Sequence, residues 1–139
     1  MNVGAQTAGV EHQERIALVV DDDDRAAEVL RQFLEAEGFA VVRAISAEDA
    51  VLMVPRQPLA LITLDLQLYG MNGWQLLSKL RESGALAHVP MIIVSGRTID
   101  DVAQGRGAAA VLQKPVSRVQ LKATLSRLGL IQIRSGFAQ

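Results

Sequence analysis

The sequence predicts a doubly wound α/β fold, with five parallel strands covered by helices on both faces. Three observations carry that prediction. Five short apolar runs recur, at Ile16–Val20, Phe39–Ala44, Leu59–Leu64, Met91–Val94 and Ala109–Gln113. Apart from Arg43, Thr63 and Gln113 they are apolar rather than alternating, the habit of strands buried on both faces of a parallel sheet. Segments with helical apolar spacing separate most of them, and strand–helix alternation at this pitch implies a parallel sheet with right-handed crossovers.

Each element has a local reason. Ile16–Val20 runs directly into four consecutive carboxylates, Asp21 to Asp24. Asp23 or Asp24 is suited to cap the helix that follows, because a short side-chain oxygen accepts a free N–H of the first turn. That helix spans Arg25 to Glu37, with Ala26, Val29, Leu30, Phe33 and Leu34 on its inner face. Gly38 suits the left-handed position that ends it. After the second strand, Ser46 and Asp49 resemble a capping box that opens a second helix, which Pro55 and Pro58 stop. The third strand ends in Asp65. A loop with Gly70 and Gly73 leads to a third helix holding Trp74, Leu76, Leu77 and Leu80 and closing near Gly84.

Pro90 precedes the fourth strand, which ends in Ser95 and Gly96. Ile99 to Gln104 makes at best a short helix, because Gly105 and Gly107 interrupt it. A weak fifth strand delivers Lys114 and Pro115. Ser117 caps the last helix, with Leu121, Leu125 and Leu128 inside. Three stretches follow: a disordered lead over 1–14, one domain over 15–128 and a tail over 129–139.

Bulk properties narrow the function. A chain of 139 residues suits one domain with a real core. Net charge is −1, and no basic stripe marks a nucleic-acid footprint. With no cysteine, disulfides, thiolate metal sites and cysteine nucleophiles are excluded. His12 and His88 match no zinc spacing. No run approaches the length of a membrane span, and Met1 to Glu14 lacks a signal-peptide core, so a cytoplasmic location is expected by default.

The chemistry collects at one edge. In parallel sheets ligands bind beyond the carboxyl ends of the strands. Asp21 and Asp22 follow the first strand, Asp65 the third, Ser95 the fourth and Lys114 the fifth. Each group alone has an ordinary reading as a cap, a turn or a surface charge; their joint order does not. Adjacent carboxylates raise the cost of ionising one another, and a hard cation such as Mg2+ relieves that through oxygen ligands. Such a cation clamps phosphoryl oxygens and offsets the repulsion between an anionic nucleophile and an anionic donor. Asp65 is then a candidate nucleophile, Lys114 a compact positive charge and Ser95 a hydroxyl donor.

These ordered motifs resemble the receiver domain of two-component response regulators over about residues 15–128. Leu18 to Asp22 is similar to the family's acidic pair. Thr63-Leu64-Asp65 with Met71-Asn72-Gly73 is similar to its phosphoacceptor strand and loop. Val94-Ser95-Gly96 resembles its hydroxyl strand, and Lys114-Pro115 its lysine, usually held by a cis peptide. The resemblance implies the flavodoxin-like strand order 2-1-3-4-5 and phosphorylation of Asp65. It also implies Mg2+ on Asp22 and Asp65 directly, on Asp21 through water and on the backbone carbonyl of Gln67. The donor would be a histidine kinase or a histidine phosphotransfer protein, with small phosphodonors as substitutes. The domain would catalyse only its own phosphorylation and dephosphorylation, and would signal to an output protein by contact. A homodimer stays open.

Departures from the family pattern set further expectations. Tyr69 stands where a proline is usual. Val111 stands where the switch aromatic is usual, so an aromatic rotamer switch is unavailable. The segment from Ser95 to Lys114 is shorter than usual by about one helical turn, which places any response in the Gly-broken stretch 96–107. Gln67 and Arg97 match positions that border the path of attacking water, and Arg97 would shield a phosphoryl group. Two rivals remain: an unphosphorylated pseudo-receiver that acts as an interaction module, and a phosphatase-like hydrolase. Hydrolases of that kind usually place a second acid two residues after the nucleophile, where this chain has Gln67.

Overall fold

The computed structural model describes residues 14–56, 58–68, 72–96 and 107–132. Five strands form one sheet: β1 (Arg15–Val20), β2 (Phe39–Ala44), β3 (Leu59–Leu64), β4 (Met91–Ser95) and β5 (Ala110–Gln113). Four helices are interleaved: α1 (Asp24–Ala36), α2 (Ala47–Met53), α3 (Gly73–Arg81) and α4 (Arg118–Arg127). The strand order is β2-β1-β3-β4-β5, with every pairing parallel. Both the fold class and the order 2-1-3-4-5 expected from the sequence are therefore observed. The lead over 1–13, the short helix at 99–104 and the tail from 133 onward lie outside the described residues.

The unbroken apolar strands follow from two cores, one on each face. Leu18, Val20, Ile62, Leu64 and Ile93 pack with Ala47 and Ala50 of α2 and Leu76, Leu77 and Leu80 of α3. Ala17, Val19, Leu61, Ile92 and Val94 pack with Ala27, Leu30 and Leu34 of α1 and Leu121 and Leu125 of α4. Successive strand side chains point to opposite faces, so a strand between two helical layers must be apolar at both parities.

One helical face differs from the expectation. The buried residues of α1 are Ala27, Leu30 and Leu34, while Val29 is 39 % exposed. Positions 27, 30 and 34 form an i, i+3, i+7 row, and the small Ala27 lets the helix approach the sheet closely. In α4, Leu121 and Leu125 are buried as expected, Leu128 is half-buried, and Thr124 is buried beside them. The chain beyond α4 stays attached: Leu130 N–H donates to Leu125 O at 2.9 Å, and Leu130 and Ile131 pack on the α1/α4 core. Arg15 holds this segment to β1, donating to Leu130 O and lying 4.4 Å over the Phe39 ring.

Caps follow the sequence closely. Asp23 caps α1, accepting from Arg25 N–H and Ala26 N–H. Ser117 caps α4 in a reciprocal box with Gln120, and Asn72 caps α3 in the same way with Gln75. Ser46 caps α2 by accepting from Asp49 N–H, but the Asp49 carboxylate accepts from Ile45 N–H at 3.3 Å rather than from Ser46. Gly38 ends α1 at φ +95°.

Thr63 lies in the centre of β3, paired with Val19 of β1 and Ile92 of β4. Its Oγ1 is buried with no hydrogen-bond partner among the described residues. Leaving such a hydroxyl unpaired costs about 1–3 kcal/mol. Thr63→Val should therefore stabilise the domain by about 1 kcal/mol and raise the thermal midpoint by a few degrees. A lower midpoint for the variant would show that the hydroxyl is paired in solution.

Candidate functional site

The backbone ladders run one residue past the strands and fix the site's main chain. Asp21 N–H donates to Ala44 O of β2 at 3.1 Å, and Asp65 N–H donates to Val20 O of β1 at 3.0 Å. Lys114 N–H donates to Ser95 O of β4 at 2.8 Å, and the Lys114–Pro115 peptide is cis, as the family resemblance implied. Strand order then brings the ends of β1, β3, β4 and β5 side by side, as expected for ligand sites in sheets of this kind.

The side chains converge there. Asp21 and Asp65 are buried, Ser95 is fully buried, and Asp22 is exposed. Lys114 Nζ lies 2.8 Å from Asp21 Oδ2 and 3.1 Å from Asp65 Oδ2. The lysine donates to Asp65 as a hydrogen bond. Its contact with Asp21 Oδ2 is close enough for an ion pair, although this oxygen has no well-aligned hydrogen-bond donor. Asp21 Oδ1 accepts from Asp23 N–H at 2.9 Å, and Asp65 Oδ1 accepts from Gln67 N–H at 3.1 Å. One oxygen each from Asp21, Asp22 and Asp65 lies within 4.8 Å of the others.

Lys114 pairs with both buried carboxylates, Asp21 and Asp65, and the exposed Asp22 stands beside them in the group of three. Burial pushes the Asp21 carboxyl above its usual 3.8, against the lowering effect of Lys114 and of Asp23 N–H. Burial pulls Lys114 down, but its contacts with Asp21 and Asp65 outweigh that and hold it above 10.5. Asp23 titrates below its usual 3.8 because Ala26 N–H and Arg25 N–H stabilise its carboxylate. The donor set is all oxygen and anionic, which fits a hard divalent cation of the Mg2+ type.

Two contributions were not read from the sequence: the close backbone approach at Gly73, which the sequence placed only in the motif after Asp65, and the bonds made by Arg43. Gly73 opens α3 against the acceptor strand: a Cβ there would lie 2.5 Å from Leu66 Cα and 2.6 Å from Asp65 O. Only glycine permits that approach, and Gly73 N–H donates to Leu66 O at 2.9 Å. Arg43, at the end of β2, donates to Asp21 O and to the Asp24 carboxylate. Its one sequence signal is a charge inside an otherwise apolar strand. The Gln67 side chain extends toward β4, with Oε1 3.9 Å from where a Cβ of Gly96 would stand. Val111 is half-buried against the α2/α3 core, and Tyr69 and Arg97 lie outside the described residues.

Fold and site together define a signalling domain rather than a classical enzyme, and sequence comparison agrees. Residues 17–126 match the response regulator receiver domain, and the chain belongs to that family. It is 33 % identical over 109 residues to the transcriptional regulatory protein HprR of Escherichia coli strain K12, covering 76 % of this chain and 48 % of that one. It is 37 % identical over 130 residues to the alginate biosynthesis transcriptional regulatory protein AlgB of Pseudomonas syringae pv. tomato, covering 91 % and 28 % respectively. This chain thus spans about half, or less, of the length of those relatives. The crystal structure of a CheY-like receiver domain protein from Methanospirillum hungatei JF-1 matches with a TM-score of 0.76 at 26 % identity, covering 84 % of this chain and 95 % of that one. Among the described residues, no helix is long and apolar enough to cross a membrane.

The raised Asp21 carboxyl makes a signed prediction for the cation-free protein. The folded state holds that proton more tightly than the unfolded state does. The stability this contributes is therefore full below pH 3.8 and is lost as pH rises through the folded value. Relative to Asp21→Asn, the wild type should be most favoured in acid and lose ground toward neutrality. Thermal unfolding of both proteins in chelator across that range measures the trend, and a gap widening in the wild type's favour with rising pH would contradict it.

Proposed function

We propose that this domain accepts a phosphoryl group on Asp65 with the help of Mg2+ and passes the signal on by protein–protein contact. The observation that carries the reading is the Asp65 carboxylate, bonded to Lys114 at 3.1 Å and grouped with Asp21 and Asp22 within 4.8 Å. A carboxylate oxygen of Asp65 attacks phosphorus, the bond to the donor's leaving group breaks, and an acyl phosphate forms. With a phosphohistidine donor the imidazole departs with the bonding pair and takes up a proton. Asp22 and Asp65, with the Gln67 carbonyl, would hold Mg2+ directly, and Asp21 through water. The ion, when bound, offsets charge between two anions that must approach.

The chain's own groups divide the remaining work. Lys114 neutralises part of the negative charge and would move from the Asp65 carboxylate to a phosphoryl oxygen. Ser95, at the end of β4, would donate its hydroxyl to another. Asp21 anchors Lys114 from the buried side. Gln67 follows the acceptor by two positions and carries an amide, which cannot act as a general base. That disfavours the phosphatase-like reading. The full set of acids, hydroxyl and lysine disfavours the pseudo-receiver. A histidine kinase or histidine phosphotransfer protein would supply the phosphoryl group, and the output protein would read the surface near β4 and β5.

Incubation with Mg2+ and a small phosphodonor, followed by intact mass, tests the reading. A single adduct supports it, steady phosphate release at high turnover points to the hydrolase, and an unchanged mass to the pseudo-receiver. Asp65→Asn should abolish hydroxylamine-sensitive labelling, and full labelling of that variant would remove the acceptor assignment. Asp22→Ala should weaken Mg2+ binding by about tenfold or more. Asp23→Ala and Asp24→Ala should lose less, because Asp23 caps α1 and Asp24 pairs with Arg43. Calorimetric titration giving equal losses at all three positions would overturn this division of roles.

A further inference from the structure

The backbone of Asp21 is gripped from one side by the end of β2. Its N–H donates to Ala44 O at 3.1 Å. Its C=O accepts twice from a single side chain, from Arg43 Nε at 3.1 Å and Nη2 at 2.9 Å. The remaining nitrogen of that guanidinium, Nη1, reaches Asp24 Oδ1 at 2.7 Å. One planar group therefore spans the acidic turn from its first residue to its fourth, with only 21 % of its side chain exposed. The turn is tied again from within, where Asp23 N–H donates to Asp21 Oδ1. Asp22 lies between the two points that Arg43 holds.

We propose that Arg43 is a positioning residue that presets the Asp21–Asp24 turn for the cation. This inference rests on the receiver reading above. Four consecutive carboxylates repel, and an unrestrained turn would spread to separate them. A guanidinium fork bonded to a carbonyl and a carboxylate together opposes that spreading in a fixed geometry, which an ammonium cannot copy. The effect on cation affinity has a sign that separates positioning from simple charge. A positive group near a cation site repels the cation, so deleting Arg43 for charge reasons alone would tighten Mg2+ binding. Asp24, at 2.7 Å though its side chain is 93 % exposed, offsets part of that charge. What deletion removes is the restraint, and binding should weaken. Partners that orient metal ligands from behind commonly move affinity by about 10–100-fold, and Arg43 acts through backbone, which places it at the low end.

Mg2+ titration of the full chain, by calorimetry and by fluorescence of its sole tryptophan, Trp74, tests this. Arg43→Ala should raise the Mg2+ Kd by about tenfold. Arg43→Lys should recover only part of the loss, and Asp24→Asn should change the Kd much less than Arg43→Ala does. Labelling by a small phosphodonor should be slow in Arg43→Ala at low Mg2+ and return to the wild-type rate at saturating Mg2+. A general folding defect would lower that maximal rate. In cation-free protein, amide hydrogen exchange at residues 22–24 should be faster in both Arg43 variants. Should Arg43→Ala not fold, Arg43→Lys carries the test, and wild-type affinity and exchange in it would overturn the proposal. An unchanged or tighter Kd in a folded Arg43→Ala would overturn it equally. A wild-type chain that neither binds Mg2+ nor accepts phosphate would instead overturn the receiver reading.

Discussion

Repulsion among carboxylates held at the ends of β1 and β3 is the constraint around which the rest of this domain is arranged. Asp21 and Asp65 are both buried, and burial disfavours the charged form of Asp21. A single ammonium, Lys114, reaches both from the end of β5. It draws the two buried acids together beside Asp22, the third carboxylate of the group. Burial holds the Asp21 carboxyl above its ordinary value although a lysine lies 2.8 Å away, and Asp65 adds a smaller push in the same direction.

Holding such a site requires backbone that does not yield. The two apolar cores supply it by burying β1, β3 and β4 on both faces. The ladder bonds then extend to Asp21, Asp65 and Lys114 themselves, so the charged side chains are carried by sheet main chain rather than by free loop. Gly73 adds a third restraint, bringing the start of α3 against the carbonyl of Asp65 where any larger residue would push it away. Sites placed on rigid elements hold their geometry better than sites placed on loops. Here the most buried acids have the firmest backbone, and the exposed Asp22 depends most on what braces the turn around it.

The sequence made the fold and the cluster of charged groups at the strand ends legible because both are written in local pattern. Apolar runs ending in Asp, Asp, Ser and Lys can be read without coordinates, as can Ser117, Asp23 and Gly38 at helix ends. What could not be read depended on distance across the fold. The inner face of α1 was read correctly at Leu30, Phe33 and Leu34, but the pattern missed Ala27 and included the exposed Val29, because Ala26 and Val29 satisfy helical spacing nearly as well as Ala27 does. Choosing between them requires knowing how closely the helix approaches the sheet. Arg43 stood out only as a charge in an apolar strand, since its partners are 19 and 22 residues earlier. Gly73 belonged to the motif matched after Asp65, but its close approach to the Asp65 carbonyl could not be read until the two were seen side by side.

The same ladders limit how occupancy of the site can be transmitted. Ser95 and Lys114 are joined through main chain, Lys114 N–H to Ser95 O at 2.8 Å. Any displacement of β4 that brings the Ser95 hydroxyl onto a phosphoryl group must carry Lys114 with it or stretch that bond. The register continues down the pair, Val94 beside Leu112 and Ile93 beside Val111. Val111 is half-buried against the α2/α3 core and has no ring to rotate. A β-branched side chain is stiff about χ1, so it follows its backbone instead of switching independently. The Ser95 strand end, the lysine and the β5 edge are thus joined by one backbone ladder.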